Sequence, residues 1–224
     1  MHNAIRFFGV ATLLVVLFTG CGDVGDAPKA KTGEEVSVAE ATGQTLAINT
    51  AESKVNWIGA KVTASHEGGF KEFDGTVSVE NGNLTNVKVT IQTASLFTEP
   101  DKLVEHLKSA AFFDVEKYPT ATFEASKFEA ATDTAGNTHI VTGNLTMLGK
   151  TNGVTFPAKV SVADGKVTAS ADFKINRKDW GINYAGQADN LIRDDVRIML
   201  DIAADNSSAA EVPAAEAHEE GAEG

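Results

Sequence analysis

Few residues of this chain have the type and placement to do chemistry. Cys21 is the only cysteine, and it directly follows an almost wholly apolar run, residues 7–18, preceded by Arg6 and closed by Thr19-Gly20. A charged start, a short apolar middle and small residues at a cut are the layout of a secretory signal peptide. A cysteine just past that cut resembles a bacterial lipobox, in which the sulfur receives a diacylglycerol and the residue becomes the new N-terminus. Phe18 stands where leucine is usual in that motif. The competing reading is an ordinary signal peptide cut near a free thiol. An apolar run of roughly 12 residues is shorter than the ~20 that span a bilayer. Ser65-His66-Glu67 has the residue types of a hydrolytic triad, but neighbours in a strand point to opposite faces, and no Gly-x-Ser-x-Gly is present. The histidines after the leader, His66, His106, His139 and His218, show no paired metal-ligand spacing. Gly149-Lys150-Thr151 lacks the earlier glycine of a phosphate loop. The expectation is therefore no enzyme, no metal and no cofactor.

Composition narrows the class further. Of 224 residues, about 160 remain once the leader and two terminal stretches are set aside, which suits one domain with a sizeable core. A single cysteine leaves no internal disulfide, so stability rests on packing and backbone hydrogen bonds. A formal net charge of -12 repels phosphate backbones, and no nucleic-acid partner is expected. It also opposes anionic lipid headgroups, so a membrane would be reached through N-terminal acyl chains. Firm anchoring takes more than one chain, and diacylglycerol plus an N-acyl chain of the palmitate type meets that need.

The elements that must position these groups are almost all β. Val55 and Trp57 fall in a first strand, and residues 76–80 alternate around Val77 and Val79. Asn81-Gly82 is a strong hairpin signal, and Val87, Val89 and Ile91 alternate after it. Further strands are expected over 121–128, 140–148 and 154–162. Ala163-Asp164-Gly165 turns the chain into a strand over 166–175, and Val196, Ile198, Leu200 and Ile202 alternate in the last. One helix is expected over 101–109, with Asp101 at its positive end and Leu103, Val104 and Leu107 on one face. Gly75, Gly143, Gly149 and Gly181 are expected at turns or bulges. The domain reading is a signal peptide over 1–20, a flexible tether over 21–43, a barrel domain over 44–204 and an acidic disordered tail over 205–224. The fold class is all-β, an antiparallel barrel or sandwich of about eight strands. A closed barrel removes exposed edges, and its interior is either filled by side chains or holds one small ligand.

Four ordered segments carry a resemblance. They are His66-Glu67-Gly68-Gly69-Phe70 with Phe73-Asp74-Gly75; Phe112-Phe113-Asp114-Val115 running to Tyr118-Pro119-Thr120-Ala121-Thr122-Phe123; Thr142-Gly143-Asn144-Leu145-Thr146 with Gly149-Lys150-Thr151 and Val154-Thr155-Phe156-Pro157; and Phe173-Lys174-Ile175-Asn176-Arg177 with Asp179-Trp180-Gly181-Ile182. Together, over roughly residues 45–204, the chain resembles the YceI-like family of secreted bacterial lipid-binding proteins. The resemblance implies a lipocalin-like barrel of eight antiparallel strands with one short helical insertion. It also implies a long apolar channel that holds polyisoprenoid chains such as those of quinones or prenyl phosphates. One departure is Leu148, where the third segment usually carries histidine, so no polar role is carried over through that place.

An isoprenoid tail makes no hydrogen bonds, and its site needs length and apolar walls. Each buried methylene contributes about 0.8 kcal/mol. With 12 Phe and two Tyr, the aromatic surface suits a dry pocket. Trp57, Phe70, Phe73, Phe112, Phe113, Phe123 and Trp180 are the candidate lining residues, each equally readable as core. Phe112 and Phe113 are adjacent and would not share a face if extended. His66, read as lying in a Gly-rich turn, either meets a ligand headgroup or bonds to local backbone. Arg177 presents a planar donor fork, either to an anionic or carbonyl headgroup or to Asp179, Asp194 or Asp195. The reading is a lipoprotein of the bacterial cell envelope, anchored at Cys21 and facing the periplasm or exterior, that binds a long isoprenoid lipid or quinone for storage, shielding or transport. Two rivals stay open: an enzyme acting on a lipid or quinone through His66, and a filled barrel with no ligand. Homodimerisation is also left open.

Overall fold

The computed structural model describes residues 22–206. The leader, Cys21 and the tail from residue 207 onward lie outside the described residues. Alternation of apolar and polar side chains gives the strands one lumenal and one outer face, and the sheet curls until it closes. The strands are β1 (Lys31–Gly33), β2 (Gln44–Ile48), β3 (Lys54–Lys61), β4 (Ala64–Phe70), β5 (Phe73–Glu80), β6 (Asn83–Gln92) and β7 (Leu96–Thr98). After helix α1 (Asp101–Lys108) come β8 (Thr120–Ala130), β9 (His139–Met147), β10 (Lys150–Ala163), β11 (Lys166–Asn176), β12 (Gly186–Gln187), β13 (Asn190–Leu191) and β14 (Asp195–Asp205). Eight of them close an antiparallel barrel in the order β10-β9-β8-β6-β5-β2-β14-β11, with β11 pairing back to β10. β2 and β3 share one edge of β14: Ile48 pairs with Ala204, and Val55 with Leu200. β4 and β7 continue from β3 and raise the wall on that side.

Registers divide the barrel into two ends. The turn at Leu148-Gly149, α1 and the segment 182–193 lie at one, and the hairpin turns Asn81-Gly82 and Asp164-Gly165 at the other. Both hairpin turns place two successive residues in the left-handed region, with φ of 51° and 78°, and 52° and 74°. That matches the twist of the strands they join. Two bulges reset the alternation. A register shift in β8 between Ala125 and Lys127 brings Phe123 and Phe128 to the lumen despite their odd separation. A shift in the β5–β6 pairing does the same for Leu84 and Val87.

Three expectations are corrected. His66 is not in a turn: it lies in strand β4 opposite Gly59. The Gly68-Gly69 pair that suggested a turn is needed inside the strand, because a Cβ at Gly68 would stand 2.4 Å from Trp57 Cζ2 and 2.3 Å from the Phe97 carbonyl oxygen. Gly75 likewise sits within strand β5, whereas Gly143 of β9 pairs at the β8 register shift and Gly149 and Gly181 serve turns. Finally, residues 22–43, expected as a flexible tether, run along the outside of the barrel. Ala30 N–H donates to the Lys174 carbonyl at 2.8 Å, β1 pairs with β10, and Asn144 holds both the N–H and the carbonyl of Val36, at 2.8 and 2.7 Å. Farther on, Asn86 donates to the Ala39 carbonyl and Thr85 to that of Thr42. Val24, Ala27 and Ala30 are buried. Low hydrophobicity suggested a segment unable to offset its ordering entropy, but polar side chains on the outer barrel face supply its backbone partners.

Candidate functional site

The lumenal faces of the strands do not meet in the middle. They enclose a cavity of about 450 Å³, within the range of small-molecule sites. The lining from the barrel strands is aliphatic and aromatic: Val141, Leu145, Phe156, Phe173, Val196 and Ile198 are typical. Phe156 stacks on Phe173 with ring centroids 4.1 Å apart, and Phe123 leans against Phe156 at 5.7 Å. Leu200, Ile202, Leu145 and Phe123 face inward yet remain only partly buried, which is what an unfilled lumen produces.

Polarity is confined to one end. Lys61, His66, His106, Arg177, Tyr184, Gln187, Asn190 and Arg193 line the cavity around the β3–β4 turn, α1 and the 182–193 segment. Tyr184, Gln187 and Arg193 are the exposed residues of the lining, and they mark this end as the mouth. Two other polar residues of the lining, Asn56 and Ser170, are on strands whose lumenal faces are carried by Val55, Trp57, Ala169 and Ala171. The arrangement fits an amphipathic guest with its tail inside and its head at the mouth.

Of the residues singled out in the sequence, Trp57, His66, Phe70, Phe112, Phe113, Phe123 and Arg177 line this cavity. Phe112 and Phe113 both do so because the chain turns there instead of extending, with Asp114 at φ 44°. Phe73 and Trp180 do not line it. Phe73 packs with Leu46, Val77 and Val89, and Trp180 is 1 % exposed, its Nε1–H donating to the Leu145 carbonyl at 2.8 Å. These two are wall residues.

The polar candidates divide by what already holds them. His66 Nδ1 lies 3.1 Å from the Glu99 carbonyl oxygen. A carbonyl only accepts, so the proton is on Nδ1, and Nε2 carries the other ring function. The partner is main chain and not a carboxylate. Arg177 is 4 % exposed. Its Nε donates to the Arg193 carbonyl at 3.0 Å, Nη1 to that of Ile182 at 2.5 Å and Nη2 to that of Ile192 at 3.5 Å. Asp194, one of its three expected carboxylate partners, stands 3.6 Å away, while Asp195 is taken by Lys29 at 2.6 Å. Burial pulls the guanidinium below its ordinary value and Asp194 opposes that shift. Arg177 thus clamps both ends of the mouth segment. Trp57 differs from both: its Nε1–H is buried and has no acceptor among the described residues. Leaving a buried donor unpaired costs about 1–3 kcal/mol.

Sequence reasoning missed the box formed by His106, Phe112 and Tyr184 at the mouth, with ring centroids 4.9 to 5.4 Å apart. The helical spacing of α1 identified its apolar face but not that His106 would stand on the cavity side. It also missed Phe156 and Phe173, whose alternation was visible but whose direction was not.

Comparison with known proteins agrees with this architecture. A family model described as the YceI-like domain matches residues 46–204. A UPF0312 protein of Pectobacterium atrosepticum is 36 % identical over 139 residues, covering 60 % of this chain and 64 % of that one. A UPF0312 protein of Pseudomonas aeruginosa is 43 % identical over 95 residues, covering 42 % and 48 %. The chain spans about half the length of the curated Pseudomonas aeruginosa relatives it matches. Among solved structures, BcnA of Burkholderia cenocepacia superposes with a TM-score of 0.60 at 26 % identity, over 70 % of this chain and 98 % of that one. A polyisoprenoid-binding domain from Saccharophagus degradans superposes at 0.59 with 14 % identity, over 72 % and 98 %, a likeness of fold alone. The matched residues run through the barrel from β2 to β14, and the chain belongs to the YceI-like family.

Proposed function

We propose that the protein is a membrane-tethered lipoprotein of the bacterial envelope that takes a long polyisoprenoid, of the quinone or prenyl-phosphate type, into its barrel to store, shield or carry it. The observation that carries this reading is the division of the cavity into an apolar lumen and a polar mouth. A tail withdrawn into the lumen gains about 0.8 kcal/mol per methylene, so binding needs no specific contact along its length. At the mouth, Lys61, Tyr184, Gln187, Asn190 and Arg193 offer polar partners to an acceptor oxygen on the head; a quinone carbonyl and a phosphate both supply one. The same barrel fold houses a polyisoprenoid-binding domain in Saccharophagus degradans. The tether is the acylated Cys21 of the sequence reading. No bond is made or broken: the chemistry is sequestration.

The test is uptake of polyprenyl alcohols and quinones of graded length by the folded protein, followed by tryptophan fluorescence. Affinity should rise with each added isoprene unit and level off once the lumen is full. Absence of uptake, or uptake indifferent to length, would overturn the reading.

A further inference from the structure

We propose that the mouth is the face of the barrel that docks on the lipid surface, with Val62, Tyr184 and Leu191 entering the headgroup boundary beside an acylated Cys21. This rests on the anchored-carrier reading and deepens it by naming the end of the barrel that meets the membrane.

The exposed large apolar side chains among the described residues are Val62 (41 % exposed), Phe97 (37 %), Tyr184 (36 %) and Leu191 (49 %). Scattered singly they would call for no explanation, but three of these four stand together at the mouth. Val62 N–H donates to the Leu191 carbonyl at 3.1 Å, and the Tyr184 ring lies 4.9 Å from that of His106 at the cavity edge. Three exposed apolar side chains thus stand on the rim, among the exposed polar Gln187, Asp189 and Arg193, around an opening that leads to an apolar lumen.

The N-terminal end of the described chain is fastened to the same rim. Gly22 N–H donates to the Val62 carbonyl at 3.0 Å. A Cβ at Gly22 would stand 2.1 Å from the Lys61 carbonyl oxygen and 2.4 Å from that of Ala64, so this seat fits glycine alone. Cys21 is the residue directly before Gly22 in the sequence. From Gly22 the chain runs pinned along the outer wall through Ala30, β1 and Val36, so an anchor on Cys21 has no free tether on which to swing to the other end. An isoprenoid could then pass from bilayer to lumen without its tail crossing water.

The test uses the full acylated chain on vesicles of phosphatidylethanolamine and phosphatidylglycerol containing lipids brominated on the acyl chains. An added indole is placed by Tyr184→Trp, by Leu191→Trp or, at the opposite end, by Asn83→Trp. All three sites are exposed. The expected result is flotation of every variant with the vesicles, loss of the added fluorescence at 184 and 191, and none at 83. Flotation without quenching at 184 and 191, or with equal quenching at 83, overturns the docking proposal and leaves the anchor reading standing. Failure to float overturns the anchor reading and the proposal with it.

Discussion

Ala169 distinguishes a hollow lumen from a filled one by the sign of a single substitution. It sits on β11, in register with Val160 of β10 and Ile202 of β14, and it lines the cavity while remaining only partly buried. In a filled barrel, Ala169→Leu would overpack the core and cost about 1–3 kcal/mol. In a hollow one, the three added carbons find empty space. At about 0.8 kcal/mol per carbon they contribute up to about 2.4 kcal/mol, less about 0.5–1 kcal/mol for the leucine rotamers they immobilise. The structure therefore predicts a variant more stable than the parent by roughly 1.5 kcal/mol when ligand-free. Urea unfolding of ligand-free protein measures this as a higher midpoint with an unchanged slope. The added side chain occupies volume that a long tail needs, so uptake of the longest polyprenyl alcohol should fall while short ones still enter. A lower midpoint at the same slope would refute the reasoning, because it would mean that the space at Ala169 is already taken.

Other predictions concern the mouth. Trp57→Phe removes an unpaired buried donor along with some packing, so ligand-free stability should change by less than about 1 kcal/mol; a loss of several kcal/mol would show that the N–H is already satisfied. Arg177→Met strands the carbonyls of Ile182, Ile192 and Arg193 and should cost about 1–3 kcal/mol, with hydrogen exchange accelerating in 182–193 before the barrel strands. Unchanged exchange there would remove Arg177 from its clamping role. Asp194 is held below the usual carboxylate range by its hydrogen bond from Lys178 first, then by the Lys178 and Arg177 charges. A depressed carboxyl adds stability that is present above its unfolded pKa of about 3.9 and lost as pH falls through the lower folded value. Asp194→Asn should therefore flatten part of the acid-side loss of stability below about pH 4, and a profile superimposable on the parent would assign that loss to other groups.

Where residues report on their neighbours along the chain, the sequence was a faithful guide. Val196, Ile198, Leu200 and Ile202 do share the lumenal face of β14, the Asn81-Gly82 and Asp164-Gly165 turns have the left-handed dihedrals their residues favour, and α1 spans Asp101–Lys108. Where a residue answers to a distant partner, the local signal misled. Gly68-Gly69 resembles a turn until the Trp57 ring and the Phe97 carbonyl that cover it are in place. Residues 22–43 look unstructured until Asn144, Asn86 and Thr85 supply hydrogen bonds from the barrel wall. Phe73 and Trp180 have the same residue types as Phe70 and Trp57, and only strand register and the segment after β11 decide that one pair faces the wall and the other the cavity. Alternation along a strand says that one face is apolar; it does not say whether the opposing faces touch, and that gap separated the carrier from the filled barrel.

The central claim, an isoprenoid in the lumen, is tested most directly by mass spectrometry of an organic extract from protein purified gently out of its own membrane. A stoichiometric polyisoprenoid, with a head bearing an acceptor oxygen, is the predicted result. A clean extract from folded protein that also fails to take up added polyprenyl alcohols and quinones would contradict the account.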